Sequence, residues 1–230
     1  MGTIPLLAAE RLRVTILVDN VTDPLLPDEG PIRRRTWPKA LAPGQSRVPT
    51  RAVPGEGVPD ALVAEPGFSA LVEVEAAGRR RTLLFDTGVS PDGMVENARR
   101  LGLDLRDVEA IVLSHGHRDH VAGMDGVARV LGPSRLPVVI HPDGWTRRRL
   151  AFPGLTPAEL PTPSHAALRG AGLEIVEERQ PSLVLDGALL VTGEVDRCTA
   201  PAGGRVHALA GRFPDAFVQC AVGTAIELSA

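Results

Sequence analysis

Apolar and polar positions change rhythm several times along the chain, and each change predicts an element. Residues 11–18 (RLRVTILV) alternate and are rich in β-branched side chains, which predicts a strand ending at Asp19-Asn20. Residues 21–67 lose all period and fill with Pro, Gly and Arg. A stretch of that length exceeds an ordinary connection, so it reads as a lid-like functional loop or a partly disordered insert. Alternation returns at 69–75 (SALVEVE) and, after a turn at Ala77-Gly78, at 81–86 (RTLLFD), a predicted hairpin. Asp86-Thr87-Gly88 then leads to a helix that opens near Pro91-Asp92-Gly93 and stops at Gly102. Residues 108–113 (VEAIVL) form a short continuous apolar run, the pattern of a strand buried on both faces. An amphipathic stretch at 121–131 follows, then a strand at 137–140 and a Ser164-capped helix through Gly170. Strands are expected at 173–176, 188–192, 216–218 and 224–228, with a helix at 205–211. Strands alternating with helices over 230 residues predict one layered α/β domain.

Composition narrows the function classes. Hydrophobic residues make up 43% and charged residues 23%, ordinary for a globular chain. Tyr is absent and aromatics reach 3%, so the core must rest on Val, Leu, Ile and Ala. A net charge of −3 and short, scattered arginine runs argue against a nucleic-acid or anionic-membrane partner. No apolar stretch is long enough to span a bilayer, and the first residues lack the layout of a secretory signal. Cys198 and Cys220 are too few for a disulfide framework, so a reduced, cytoplasmic protein is expected.

The chemistry concentrates at His115-Gly116-His117-Arg118-Asp119-His120, directly after the buried strand. Three of the six histidines of the chain fall in this window, too many for a chance surface cluster. His115 and His117 lie two apart and would project to one side in extended backbone, while Gly116 permits an unusual turn. Asp119 and His120 follow on the next bend and can address a second, adjacent ion. Imidazole nitrogens with a carboxylate suit Zn, with Fe or Mn as alternatives. Two such ions about 3.5–4 Å apart would share a hydroxide that is nucleophilic at neutral pH.

LSHGHRDHVAG (Leu113–Gly123) resembles the HxHxDH signature of the metallo-β-lactamase superfamily, and LLFDTG (Leu83–Gly88) resembles its strand with a supporting aspartate. LVDN (17–20), GFSALVEVE (67–75), HPDGW (141–145) and VTGEV (191–195) are similar to one branch of metal-dependent hydrolases. Some members of that branch are labelled dihydropterin ribofuranosyl-aminobenzene-phosphate synthases. The resemblance implies a metallo-β-lactamase-like αβ/βα sandwich with mixed sheets. It also implies that His115 and His117 bind one metal, that Asp119 and His120 bind a second, and that Asp86 hydrogen-bonds a ligand histidine. Asp119 is the candidate catalytic residue of this set. A small-molecule substrate of ester or phosphoester type is the implied reactant.

The second half departs from the branch. After the TGE strand the resemblance implies GCxHxG, GGFHL-like and HCTG segments, yet Glu194-Val195 runs almost directly into Arg197-Cys198-Thr199. The simplest account is an internal deletion at about 195–205 that leaves part of the second half missing. Arg197 then stands where a histidine is expected, and a guanidinium has no lone pair to offer a metal. His141 and Glu194, each at a strand end, are the candidates for supporting roles, with His165 and His207 read as surface or core residues. Two functions therefore stand side by side. One is a metal-dependent hydrolase or, as a variant, a pterin-precursor synthase; the other is a degenerate, non-catalytic protein or binding module with an incomplete site. A homodimer that exchanges elements is compatible with either.

Overall fold

The computed structural model describes residues 4–151 and 153–194, together with the backbone of 225–229. In chain order the strands are β1 (Ala9–Val18), β2 (Ile32–Arg33), β3 (Arg47–Val48), β4 (Val58–Pro59), β5 (Ser69–Ala76), β6 (Arg79–Phe85), β7 (Ala110–Leu113), β8 (Pro137–Ile140), β9 (Arg148–Leu150), β10 (Ala158–Leu160), β11 (Glu174–Glu177), β12 (Ser182–Val184), β13 (Leu189–Val191) and β14 (Ala225–Ser229). The helices are α1 (Trp37–Ala40), α2 (Gly93–Arg100), α3 (Arg118–Val121), α4 (Met124–Leu131) and α5 (His165–Gly170).

Eight strands form one mixed sheet in the order β11-β8-β7-β6-β5-β1-β14-β2. The β1, β5 and β6 neighbours run antiparallel, whereas β6, β7, β8 and β11 are parallel. The register Leu84↔Ile111 and Val112↔Val139 sorts side chains by strict alternation. Leu84, Ile111, Leu113, Val138 and Ile140 face α2 and α4, packing on Met94, Ala98 and Val127. Leu83, Val112 and Val139 face the other way, against Val184, Leu189 and Val191 of the β12–β13 hairpin. Burial on both faces explains why the central strands read AIVL and PVVI rather than alternating. The α/β class with a mixed sheet is the expected one. Among the described residues, helices cover one face and a two-stranded hairpin covers part of the other.

Several boundaries differ from expectation for local reasons. The amphipathic stretch at 121–131 is two helices, because Ala122-Gly123 interrupts it before Met124. The short strands β9, β10 and β12 carried too few residues to show a period. The insert at 21–67 is more tied down than its composition suggested. It contains β2, α1, β3 and β4, and its last part is stitched along α2. Asp60 accepts from Arg99 Nη2 and Arg100 Nε, both at 2.8 Å. The fully buried Asn97 side chain donates to Leu17 O and Val63 O and accepts from Val63 N–H. Glu65 accepts from the Val89 and Ser90 N–H groups just ahead of α2. Polar side chains thus do here what apolar periodicity does elsewhere. The expected helix at 205–211, the strand at 216–218 and the junction with Arg197 lie outside the described residues. Among the described residues no helix is long and apolar enough to cross a membrane.

Candidate metal centre

Parallel strands bring their carboxyl ends to one edge of the sheet, and the loops there collect the candidate residues. β6 ends in Asp86, β7 in Ser114 and the histidine motif, and β8 in His141. Asp86 N–H donates to Val112 O at 2.9 Å, one last rung of the β6–β7 ladder. The chain then turns through left-handed backbone at Asp86 (φ 53°), a conformation that aspartate tolerates better than most residues. Its carboxylate, only 1% exposed, is turned across the end of β7. It accepts from Ser114 N–H at 2.7 Å, from Ser114 O–H at 2.6 Å and from His120 Nδ1 at 2.8 Å. Three donors satisfy a charge that burial would otherwise make costly.

This wedge sets the protons of the motif. The Ser114 proton points at Asp86, so Ser114 Oγ is left to accept from His115 Nδ1 at 2.9 Å. That assignment leaves a lone pair on His115 Nε2, which faces His117 Nδ1 at 3.0 Å. Two imidazoles bound tetrahedrally to one Zn at 2.0–2.1 Å would hold their nitrogens about 3.3 Å apart, so this pair is within a few tenths of an ångström of chelating geometry. His120 gives its Nδ1 proton to Asp86 and presents Nε2, which lies 3.7 Å from Asp119 Oδ2. The rings cluster tightly, with centroid separations of 4.5 Å for His115–His117 and 4.1 Å for His115–His120. Among the described residues no three of these groups converge as one cage. The donors come as two pairs.

Electrostatics keep the one nitrogen lone pair of His115 unprotonated. Burial first, then the neighbouring His120 and His117, push its pKa down to about 4, so it is neutral at physiological pH. Burial also works against protonation of His120, but the hydrogen bond and charge of Asp86, with Asp119, outweigh it and raise the pKa.

Close backbone approach explains two glycines. A Cβ at Gly116 would sit 1.8 Å from Gly144 O, so the motif turn and the 142–145 turn meet only because Gly116 has no side chain. Gly67 adopts φ 127°, and a Cβ there would be 2.2 Å from Asp119 O. That approach lets Phe68 N–H reach the Asp119 carbonyl at 3.3 Å.

The supporting residues fall into two groups. Asp86 bonds a motif histidine directly. The hydrogen bonds and ion pairs of His141 and Glu194 form a separate cluster. His141 Nε2 lies 3.5 Å from Glu194 Oε2, and Arg179 reaches His141, Glu194 and Asp143 at 3.4, 3.4 and 2.7 Å. The reason is that β11 and β13 bring Arg179 and Glu194 together beyond the end of β8, where a permanent cation gathers the nearby acids. His165, the first residue of α5, packs edge-on to Trp145. Nothing in the sequence marks Ser114, because a serine beside a histidine motif has no distinguishing period. A cavity of about 360 Å³ between the sheet and the β12–β13 hairpin is lined by Val72, Leu83, Val112, Val139, Leu189 and Val191. Ser114, His141, Glu178 and Thr192 are among its polar lining residues, and none of His115, His117, Asp119 and His120 lines it.

The family profile of the metallo-beta-lactamase superfamily matches residues 62–195, more than half of the chain and the whole of this strand-end constellation. The chain belongs to the metallo-beta-lactamase superfamily. Within the superfamily it is 32% identical over 77 residues to a 7,8-dihydropterin-6-methyl-4-(beta-D-ribofuranosyl)-aminobenzene-5'-phosphate synthase of Methanocaldococcus jannaschii, covering 34% of this chain and 26% of that one. It is also 32% identical over 113 residues to a ribonuclease Z of Salinibacter ruber, covering 47% and 33% respectively. The chain thus spans between a quarter and a third of the length of these two relatives. Among solved structures, an N-acyl homoserine lactone lactonase matches with a TM-score of 0.35 and 15% identity over 75% of this chain and 59% of that one. A subclass B3 metallo-beta-lactamase from a soil metagenome library matches with a TM-score of 0.31 and 20% identity over 52% and 47%. Likenesses of that size carry no argument about the site.

Proposed function

We propose that this superfamily member is a metal-dependent hydrolase acting on an ester-, phosphoester- or related small-molecule electrophile. The observation that carries the reading is the Asp86 wedge. One buried carboxylate orients Ser114 and His120, and with them the pairs His115/His117 and Asp119/His120. The donor chemistry fits divalent Zn, with Fe or Mn as alternatives. Such ions, when bound, lower the pKa of water and polarise the oxygen under attack. His115 and His117 would hold one ion through Nε2 and Nδ1, and Asp119 and His120 the other through Oδ2 and Nε2. Asp119 is more open to solvent than His120, so of these ligands its carboxylate is the better able to meet a reacting group.

Metal analysis of the purified chain tests the proposal, together with hydrolysis of an ester and phosphoester panel. About two equivalents of Zn, Fe or Mn per chain, and activity abolished by His117→Ala, are expected. Absence of tightly held metal would count against it. That result would favour a non-catalytic binding module, a reading supported by the lack of a third donor for either pair among the described residues. A synthase reaction like that named for the Methanocaldococcus jannaschii relative is the narrower variant within the same chemistry.

A further inference from the structure

We infer that Arg148 is a positioning residue for the His115/His117 pair, clamping the motif turn onto the turn that follows β8. The inference rests on the metal-dependent reading above. Arg148 opens β9, and its half-buried guanidinium is spread over four backbone carbonyls. Nη1 donates to Gly116 O at 3.3 Å, Gly144 O at 3.2 Å and Thr146 O at 2.9 Å, and Nη2 donates to Asp143 O at 3.1 Å. A planar fork with several fixed donors suits this task in a way that a point charge does not.

The consequence lies in which carbonyl is held. Gly116 is the link between the two facing histidines, so the orientation of its peptide sets the direction in which His117 leaves the turn. At the same place the two turns are pressed together, since even a methyl group on Gly116 would overlap Gly144 O. Glycine alone provides the space, but it also leaves the peptide free to rotate. Arg148 removes that freedom from the other side. The neighbours Arg147 and Arg149 have a different occupation, because both reach out to Glu159. Within one run of three arginines, only the middle one touches the motif.

The test compares Arg148→Met, Arg148→Lys and Arg149→Met in two measurements. In the chelator-treated protein, ring-to-ring NMR contacts report whether His115 and His117 still face each other. In the second, cobalt(II) is titrated and both affinity and the visible ligand-field spectrum are read. Arg148→Met should weaken the ring contact, lower cobalt affinity about 10–100-fold and alter the spectrum, as loss of an outer partner does at metal sites. Arg148→Lys should recover part of both, and Arg149→Met should match the wild type. If Arg148→Met does not fold, Arg148→Lys carries the comparison, with an intermediate loss expected. A ring contact and cobalt affinity within twofold of wild type in the Arg148 variants would overturn the inference. If the wild type takes up no cobalt, the metal-dependent reading falls, and the ring contact alone still decides whether Arg148 positions the pair.

Discussion

Replacing Asp86 by Asn perturbs the single group on which the proposed site turns, with little change of shape. Asn tolerates the left-handed backbone of this position as Asp does, so the path of the chain is preserved. Its amide keeps one oxygen for Ser114 N–H but sets an NH2 group against Ser114 Oγ and His120 Nδ1, where the carboxylate accepted at 2.6 and 2.8 Å. Ser114 can turn its proton to His115 Nδ1, 2.9 Å away, only if His115 moves its own proton to Nε2, which removes the lone pair facing His117. His120 adapts only by shifting its proton from Nδ1 to Nε2, which removes the lone pair on the outward nitrogen. A hydrogen bond to a charged group contributes about 1.5–3 kcal/mol. Loss of the outer partner of a ligating histidine lowers metal affinity about 10–100-fold, or about 1.4–2.8 kcal/mol. The two figures agree, as they should if that one bond orients the ring. Neutralising a buried carboxylate also relieves its desolvation, so the stability of the metal-free protein should fall by less than about 1.5 kcal/mol. Calorimetric zinc titration of the stripped protein and urea unfolding read the two quantities separately. A normal zinc affinity in a folded Asp86→Asn protein would refute the orienting role.

Three further outcomes follow from the packing. Gly116→Ala places a methyl 1.8 Å from Gly144 O, and backbone must yield on one side; a loss of about 1–3 kcal/mol in urea unfolding and weakened cobalt uptake are expected. Leu84→Ala removes a fully buried side chain between the sheet and α2 and should cost about 2–5 kcal/mol in the same assay. For Asp60, burial would raise the carboxyl pKa, but Arg100 and Arg99 outweigh it and hold it below the usual range. Because the folded value lies below the unfolded one of about 3.9, the stabilisation is present above that pH and fades as pH falls through the folded value. Asp60→Asn should therefore lose about 1–2 kcal/mol at pH 7, allowing for the exposure of Arg99. Urea midpoints of the two proteins should converge below about pH 4.

Much of this protein could be read from its sequence, and the reasons are local. β1, the β5–β6 hairpin, β7 and β8 declared themselves because sheet burial writes a period of two, or an unbroken apolar run, into a few adjacent residues. The histidine motif was legible for the same reason, since the four candidate donors lie within six positions and strand ends make neighbours of them. Asp86 was anticipated only through family resemblance. Its bond to His120 spans 34 positions, and the parallel register of β6 on β7 creates it. The tertiary structure alone decided that Ser114 shares that carboxylate and that Asp60, Val63 and Glu65 tie the insert to α2. It also decided that His141 and Glu194 gather around Arg179 instead of the histidines, and that Arg148 rather than Arg147 or Arg149 grips Gly116. These are single polar contacts between distant segments. They bury little area, so they leave no hydrophobic period behind, and only the folded chain brings their atoms within bonding distance.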